Sequence, residues 1–324
     1  MSAGRLIDRI GARRGLIGLT AAVVVALCGA SLADSYGWLL AVLAVAGVGQ
    51  ALANPATNVL ARDRIRPPDD GSVIGYKQSG VQISAVLSGL VLPRVASAHG
   101  WQWALRASAA AALVAFVIMV SPVRAPAHVR SGRQGLPLPS WLFSLTVYCF
   151  VLATANAAVA AFLPVFAVQG LGYRPAIGGA VLACFGVAGI FGRVWWGRAS
   201  AHRPDRPAMM LTGLSLVAAV CALPLVLATA PHLRSLVWIG ALGVGGSATA
   251  AYAVAMVEVV RNAGGDTGRA SGVVSVGFFG GFAVGPVAFG FLTGHAGYWA
   301  GWVAVFGTLV LAAATSLPFR RMPA

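Results

Sequence analysis

Gly4-Arg5-Leu6-Ile7-Asp8-Arg9-Ile10-Gly11-Ala12-Arg13-Arg14 places five charges in eleven residues, and apolar sequence follows for most of the chain. Such a string cannot enter hydrocarbon, where a charged side chain at the middle of a span costs about 2.5–3.5 kcal/mol. A tight turn between two membrane helices accommodates it. Gly4 and Gly11 flank the acidic core of the string and allow backbone angles or close approaches that a side chain would block. The arginines suit an anionic inner leaflet, and Asp8 can face the positive end of a neighbouring helix. The plain alternative is any basic loop beside a membrane, and the rest of the chain decides against it.

Composition sets the class. Hydrophobic residues make up 58% of the chain and charged ones 10%, with a mean hydropathy of +0.82. A soluble domain carries about 25% charged residues. With about 20 apolar residues per crossing, 324 residues accommodate ten crossings and short loops. The net charge of +15 lies in the loops and not on one face of a folded domain, which argues for membrane orientation and against nucleic acid. Cys28, Cys149, Cys184 and Cys221 fall in separate apolar stretches, with neither metal spacing nor a disulfide framework.

Apolar length and the breaks at charge, Pro and Gly predict spans near 15–33, 38–60, 72–93 and 101–121, then 140–166, 175–198, 207–229, 235–259, 270–293 and 298–317. The polar stretch 122–139 is the linker between a four-helix bundle (1–121) and a six-helix bundle (140–324). With the opening loop set inside, eighteen Lys and Arg fall on the inner side and three (Arg94, Arg174, Arg234) outside, while Lys77 and Arg106 stay within spans. That bias places both termini in the cytoplasm and the chain in the cell (inner or plasma) membrane.

The chain also repeats itself. A shift of 197 residues carries Gly75 onto Gly272, Gly80 onto Gly277, Gly100 onto Gly297 and Trp101 onto Tyr298. The opening loop has a degenerate echo in Gly192-Arg193-Val194-Trp195-Trp196-Gly197-Arg198. Two related halves joined by a polar linker are a transporter signature.

The G-x-x-x-D-R-x-G string of residues 4–11 resembles the loop between the second and third helices of major facilitator superfamily transporters. Ala12 departs from the pattern, standing where a basic residue is usual. The resemblance implies an all-α, polytopic two-bundle fold with about ten helices (four plus six) instead of twelve. It also implies two helices ahead of this loop, where only Met1-Ser2-Ala3 stands, so a misplaced start codon or a fragment is expected. A ten-helix protein is the alternative.

Several polar residues inside the spans are candidates for a substrate pathway. Lys77 sits in the third span beside Gln78, with Gln82 one turn beyond Gln78, and an intramembrane lysine attracts an anionic group unless it snorkels to the surface. Gln50, Asn54 and Asn58 recur every four residues and share one helix face. They line the pathway or bond neighbouring helices. By the resemblance their helix is a cavity-lining one, as are those of Tyr148, Asn156 and Tyr252; Tyr can equally serve as interhelical glue.

A second group concerns gating. Glu258 is the only acidic residue inside a span. It is expected to pair with Arg193 or Arg198, as Arg62 pairs with Asp8, with Gly4, Arg9, Gly11 and Arg13 completing the opening loop. The competing role for Glu258 is proton carrier.

The expected function is secondary active transport of a small organic solute, an anion by the reading of Lys77, by alternating access, with a proton or another ion as coupling partner. The expected form is a monomer in the lipid bilayer, without cofactor or metal. No phosphate-cradling Gly-Lys-Ser/Thr loop is present for direct use of ATP. A membrane enzyme needs clustered acids or histidines at one face, whereas the five histidines scatter over loops. A non-transporting remnant is the remaining alternative.

Overall fold

The computed structural model describes residues 6, 7, 10–64, 70–121, 139–203, 206–263 and 267–317, without the side chains of 55, 58–64, 70–74 and 201. Gly4, Asp8 and Arg9 lie outside the described residues, as do the side chains of Asn58 and Arg62.

Every long element among the described residues is helical. In order these are α1 (Ala12–Ser31), α2 (Tyr36–Arg64), α3 (Asp70–His99), α4 (Trp101–Val120), α5 (Ser140–Val165), α6 (Pro175–Ala201), α7 (Pro207–Leu227) and α8 (Leu236–Asn262). The last, Thr267–Thr315, breaks at Gly297 into α9 (267–296) and α10 (298–315). These match the ten predicted spans in order, and each is long and apolar enough to cross a bilayer. The chain is an all-α, multi-pass membrane protein.

Local chemistry sets the ends. Pro175 and Pro207 open α6 and α7, where a missing N–H is harmless. Gly11 and Gly100 precede α1 and α4 with φ 87°, ψ 150° and φ 94°, ψ 160°. That region of backbone space is essentially open to glycine alone. Helix α5 ends in one π turn, Phe166–Gly170, beneath a cluster of rings.

Packing divides the chain into two compact units: Met1–Arg64 with Val91–Pro137 and Asn262–Val273, and Ile65–Leu90 with Leu138–Arg261 and Val274–Ala324. In the first, α1 packs on α2 and α4. Ile7, Ala12 and Ala56 bury one another there, with Leu16 and Leu52 alongside. Arg13 donates to the carbonyls of Val120 and Ser121 at 3.2 and 3.0 Å, closing the C-terminal end of α4 where backbone acceptors lack helical partners. Tyr36, Val48 and Val114 point outward, as lipid-facing side chains do.

In the second unit α8 is buried without a break from Ser247 to Val259. A helix enclosed on all faces has no broad polar side, so most of its residues are small and apolar. Glycines set its neighbours' distances. A methyl on Gly192 would run into the Gly246 carbonyl, bringing α6 against α8, and Gly240 and Gly243 receive Leu225 and Cys221 of α7. Gly277, Gly281 and Gly285 of α9 lie on the backbone of α5 at Thr146, Phe150 and Thr154. Lipid gives helices no hydrophobic reason to associate, so such close backbone contact supplies the attraction through dispersion. Helix α10 returns along α9, with Trp302 edge-on to Phe289 and Phe166 at 4.8 and 5.2 Å. Its end is tied to α7 by Thr212 and Ser316, 2.6 Å apart.

Candidate functional site

A buried polar grouping of the second unit forms where α3, α6 and α8 meet. Helices α3 and α6 run antiparallel: Gly75 faces Arg193, Gln82 faces Gly189, Val86 faces Gly186, and Gly89 faces Gly179. Gly189 is what admits the Gln82 side chain, because a methyl there would take the place of its amide nitrogen and stand 2.9 Å from Thr249 Oγ1. One turn along α6, Arg193 donates through Nη1 to the backbone carbonyl of Gln78. A carbonyl has two lone pairs, so this bond coexists with the helical ladder.

Burial makes the grouping costly. Gln78, Gln82 and Arg193 are 3%, 4% and 3% exposed. Among the described residues, Gln78 Nε2, Gln82 Nε2 and Arg193 Nε have no hydrogen-bond acceptor. An unmet buried donor costs about 1–3 kcal/mol, more when charged. Helix α8 contributes the buried Thr249 and Tyr252. Tyr252 stacks on Phe278 with ring centroids 3.7 Å apart, and it interacts electrostatically with Arg193.

The other pathway candidates scatter. Lys77 is half-buried; as Gln78's neighbour it is turned about 100° round the helix. Asn156 is buried on α5 with Oδ1 unpartnered among the described residues. Tyr148 is fully buried, and its hydroxyl bonds Ser215 Oγ at 3.0 Å and the Leu211 carbonyl at 3.4 Å, tying α5 to α7. On α2, Gln50 is exposed and Asn54 buried.

The gating candidates are placed as follows. Arg198 donates to the Tyr76 hydroxyl at 2.7 Å and lies over the same ring at 5.4 Å, joining α6 to α3. Glu258 pairs with Arg261 on its own helix at 3.5 Å, and Arg261 also reaches the Ser200 carbonyl at 3.3 Å. Arg193 is engaged by Gln78. Gln78 and Gly189 join the grouping without having ranked as candidates. The signal for Gln78 was legible, since amides at 78 and 82 repeat the four-residue spacing of Gln50, Asn54 and Asn58.

Chemically the grouping offers donors and a permanent cation. Among the described residues, no three His, Cys, Asp or Glu come together to hold a metal ion.

The family model of the Major Facilitator Superfamily matches residues 1–265. The chain belongs to the major facilitator superfamily. This superfamily member also shares its fold with solved transporters. The human organic anion transporter MFSD10 (TETRAN) superposes with a TM-score of 0.75 at 14% identity, over 97% of this chain and 79% of that one. The E. coli fucose:proton symporter FucP gives 0.70 at 16% identity, over 100% and 87%. FucP in the outward conformation gives 0.69 at 17%, over 100% and 86%. Identities this low speak for the fold alone. No curated protein matches in sequence. As a superfamily member, the chain is a membrane transporter.

Proposed function

We propose that the protein is a secondary active transporter of a small organic anion, working by alternating access. The observation that carries this reading is positive charge on the helices: Lys77 stands on α3 and the buried Arg193 on α6, while Glu258 of α8 is already paired with Arg261. Intramembrane charge is expensive and marks a pathway, and its sign here favours a negative solute. The fold likeness to an organic anion transporter agrees with that choice, and the likeness to a proton symporter makes a proton the first coupling ion to test.

In this reading the repeat halves, 1–121 and 140–324, rock and open the site to one side of the membrane at a time. Lys77, Gln82, Asn156 and Tyr252, with Gln50, Asn54, Asn58 and Tyr148, contribute to the pathway. Asp8 with Arg62, and Glu258 with Arg198 after leaving Arg261, act as exchangeable ion pairs. The protein works as a monomer, with both termini in the cytoplasm and the basic loops on the same side.

The test is uptake of labelled benzoate into vesicles reconstituted with the purified protein, with and without a proton gradient. Saturable uptake abolished by Lys77→Ala is expected. Unchanged kinetics would remove Lys77 from the site, and no saturable uptake of any organic anion would end the reading.

A further inference from the structure

We infer that Gln78, Gln82 and Arg193 form the subsite that holds the carboxylate of the transported solute, with Arg193 as its ion-pairing group. This rests on the reading of the chain as an organic-anion carrier and names the atoms that receive the charged end.

Three observations carry it. First, three unmatched atoms of this grouping, Gln78 Nε2, Gln82 Nε2 and Arg193 Nε, are buried N–H donors without an acceptor among the described residues. A ligand with several lone pairs and no hydrogens answers all three. A carboxylate has about four acceptor sites on two oxygens. Second, the groups share one place. Gln78 and Gln82 are a turn apart on α3, and Arg193 and Gly189 a turn apart on the facing stretch of α6. Third, Arg193 is held in a useful orientation. Its Nη1 is fixed on the Gln78 carbonyl, and its Nε–H is left unused by the described residues. The planar guanidinium offers carboxylates a fork of donors, and a fork already anchored loses less freedom on binding.

The charge selects the class. Arg193 is the one permanent cation buried in this grouping, so a single negative charge balances it. That favours a monocarboxylate over a phosphate dianion. Thr249 and Tyr252 stand beside the guanidinium and the Gln82 amide, where the body of the solute begins.

The experiment uses the purified full chain in detergent with acetate and benzoate as probes and acetamide and benzamide as uncharged controls of the same shape. Thermal unfolding and tryptophan fluorescence are followed across a titration at constant ionic strength. Both carboxylates should raise the unfolding temperature saturably, and the amides should not. Gln82→Met and Gln78→Met keep volume and remove one donor each. Both should fold with an unliganded melting temperature no lower than wild type, since an unmet donor is gone, yet bind benzoate at least about tenfold more weakly. Arg193→Lys should weaken it further while keeping the charge.

No response to either carboxylate, an equal response to the amides, or an unaltered benzoate response in both glutamine variants would overturn the subsite. Benzoate flux in vesicles separates this from the carrier reading. Flux that both glutamine variants leave intact retains the carrier and removes the subsite. Binding that the variants weaken, without flux in wild type, retains the subsite and removes the carrier.

Discussion

Gly100 and Gly297, 197 residues apart, turn the chain through the same backbone conformation, φ 94°, ψ 160° and φ 76°, ψ 174°, each immediately before a helix. They are the pair that the internal repeat aligns, so the two halves reverse direction by one device. Alanine at either position must adopt a region that is essentially closed to it, at about 1–3 kcal/mol. Nothing stands within 4 Å of a methyl at Gly297, so the cost there is purely conformational. Gly297→Ala and Gly100→Ala should each lower the unfolding temperature in detergent, and a Gly297→Ala protein as stable as wild type would refute the assignment.

Helix glycines divide into two groups with opposite expected behaviour. A methyl at Gly192 meets the backbone of Gly246, which cannot step aside, and forced overpacking costs about 1–3 kcal/mol. A methyl at the exposed Gly213 of α7 meets nothing, and Gly→Ala in a helix interior gains about 0.5–1 kcal/mol. Thermal unfolding of Gly192→Ala and Gly213→Ala should therefore move in opposite directions.

Tyr148→Phe tests whether that tyrosine belongs to the pathway or to the scaffold. Removing its hydroxyl deprives the fully buried Ser215 of its partner at 3.0 Å. A loss of about 1–3 kcal/mol follows from leaving such a group unmet. A scaffold role leaves the KM for benzoate uptake unchanged while the melting temperature falls; a raised KM at unchanged stability assigns Tyr148 to the solute instead.

Tyr76 and Arg198 give a different signature. Both are exposed, so their contact contributes within about 1 kcal/mol to stability. It nevertheless bridges α3 and α6, so Tyr76→Phe should change the maximal uptake rate while KM and melting temperature stay near wild type. No change in rate would reduce the contact to a surface accident.

Arg13→Met removes the donor to Val120 and Ser121 at the end of α4. A cation at a helix C-terminus contributes about 0.3–1 kcal/mol when exposed. The variant should unfold slightly earlier, and hydrogen exchange should quicken in the last turn of α4 before it does elsewhere.

Hydropathy located the long helices among the described residues because burial in lipid acts on whole stretches of side chains. It erred at the ends for a physical reason: α2 runs through Asn58, Arg62 and Arg64, since backbone hydrogen bonding does not stop where the side chains turn polar. Repeat symmetry exposed Gly100 and Gly297 because a glycine-only conformation leaves its mark on the sequence. The polar grouping was harder to read. Gln82 was legible as an amide in a span, but its setting depends on the hole left by Gly189 across a helix contact more than one hundred positions away. Glu258 looked like a partner for α6, and the ion pair it makes with Arg261 lies three residues along its own helix. Such choices among nearby cations depend on side-chain reach in three dimensions, which one-dimensional spacing does not encode.

The unbroken enclosure of Ser247–Val259 has a consequence for chemistry done from the bilayer. A photoactivated carbene dissolved among the acyl chains finds no exposed side chain along that stretch, whereas Val48 and Val114 stand in its path. Insertion products should therefore decorate α2 and α4 and spare this part of α8.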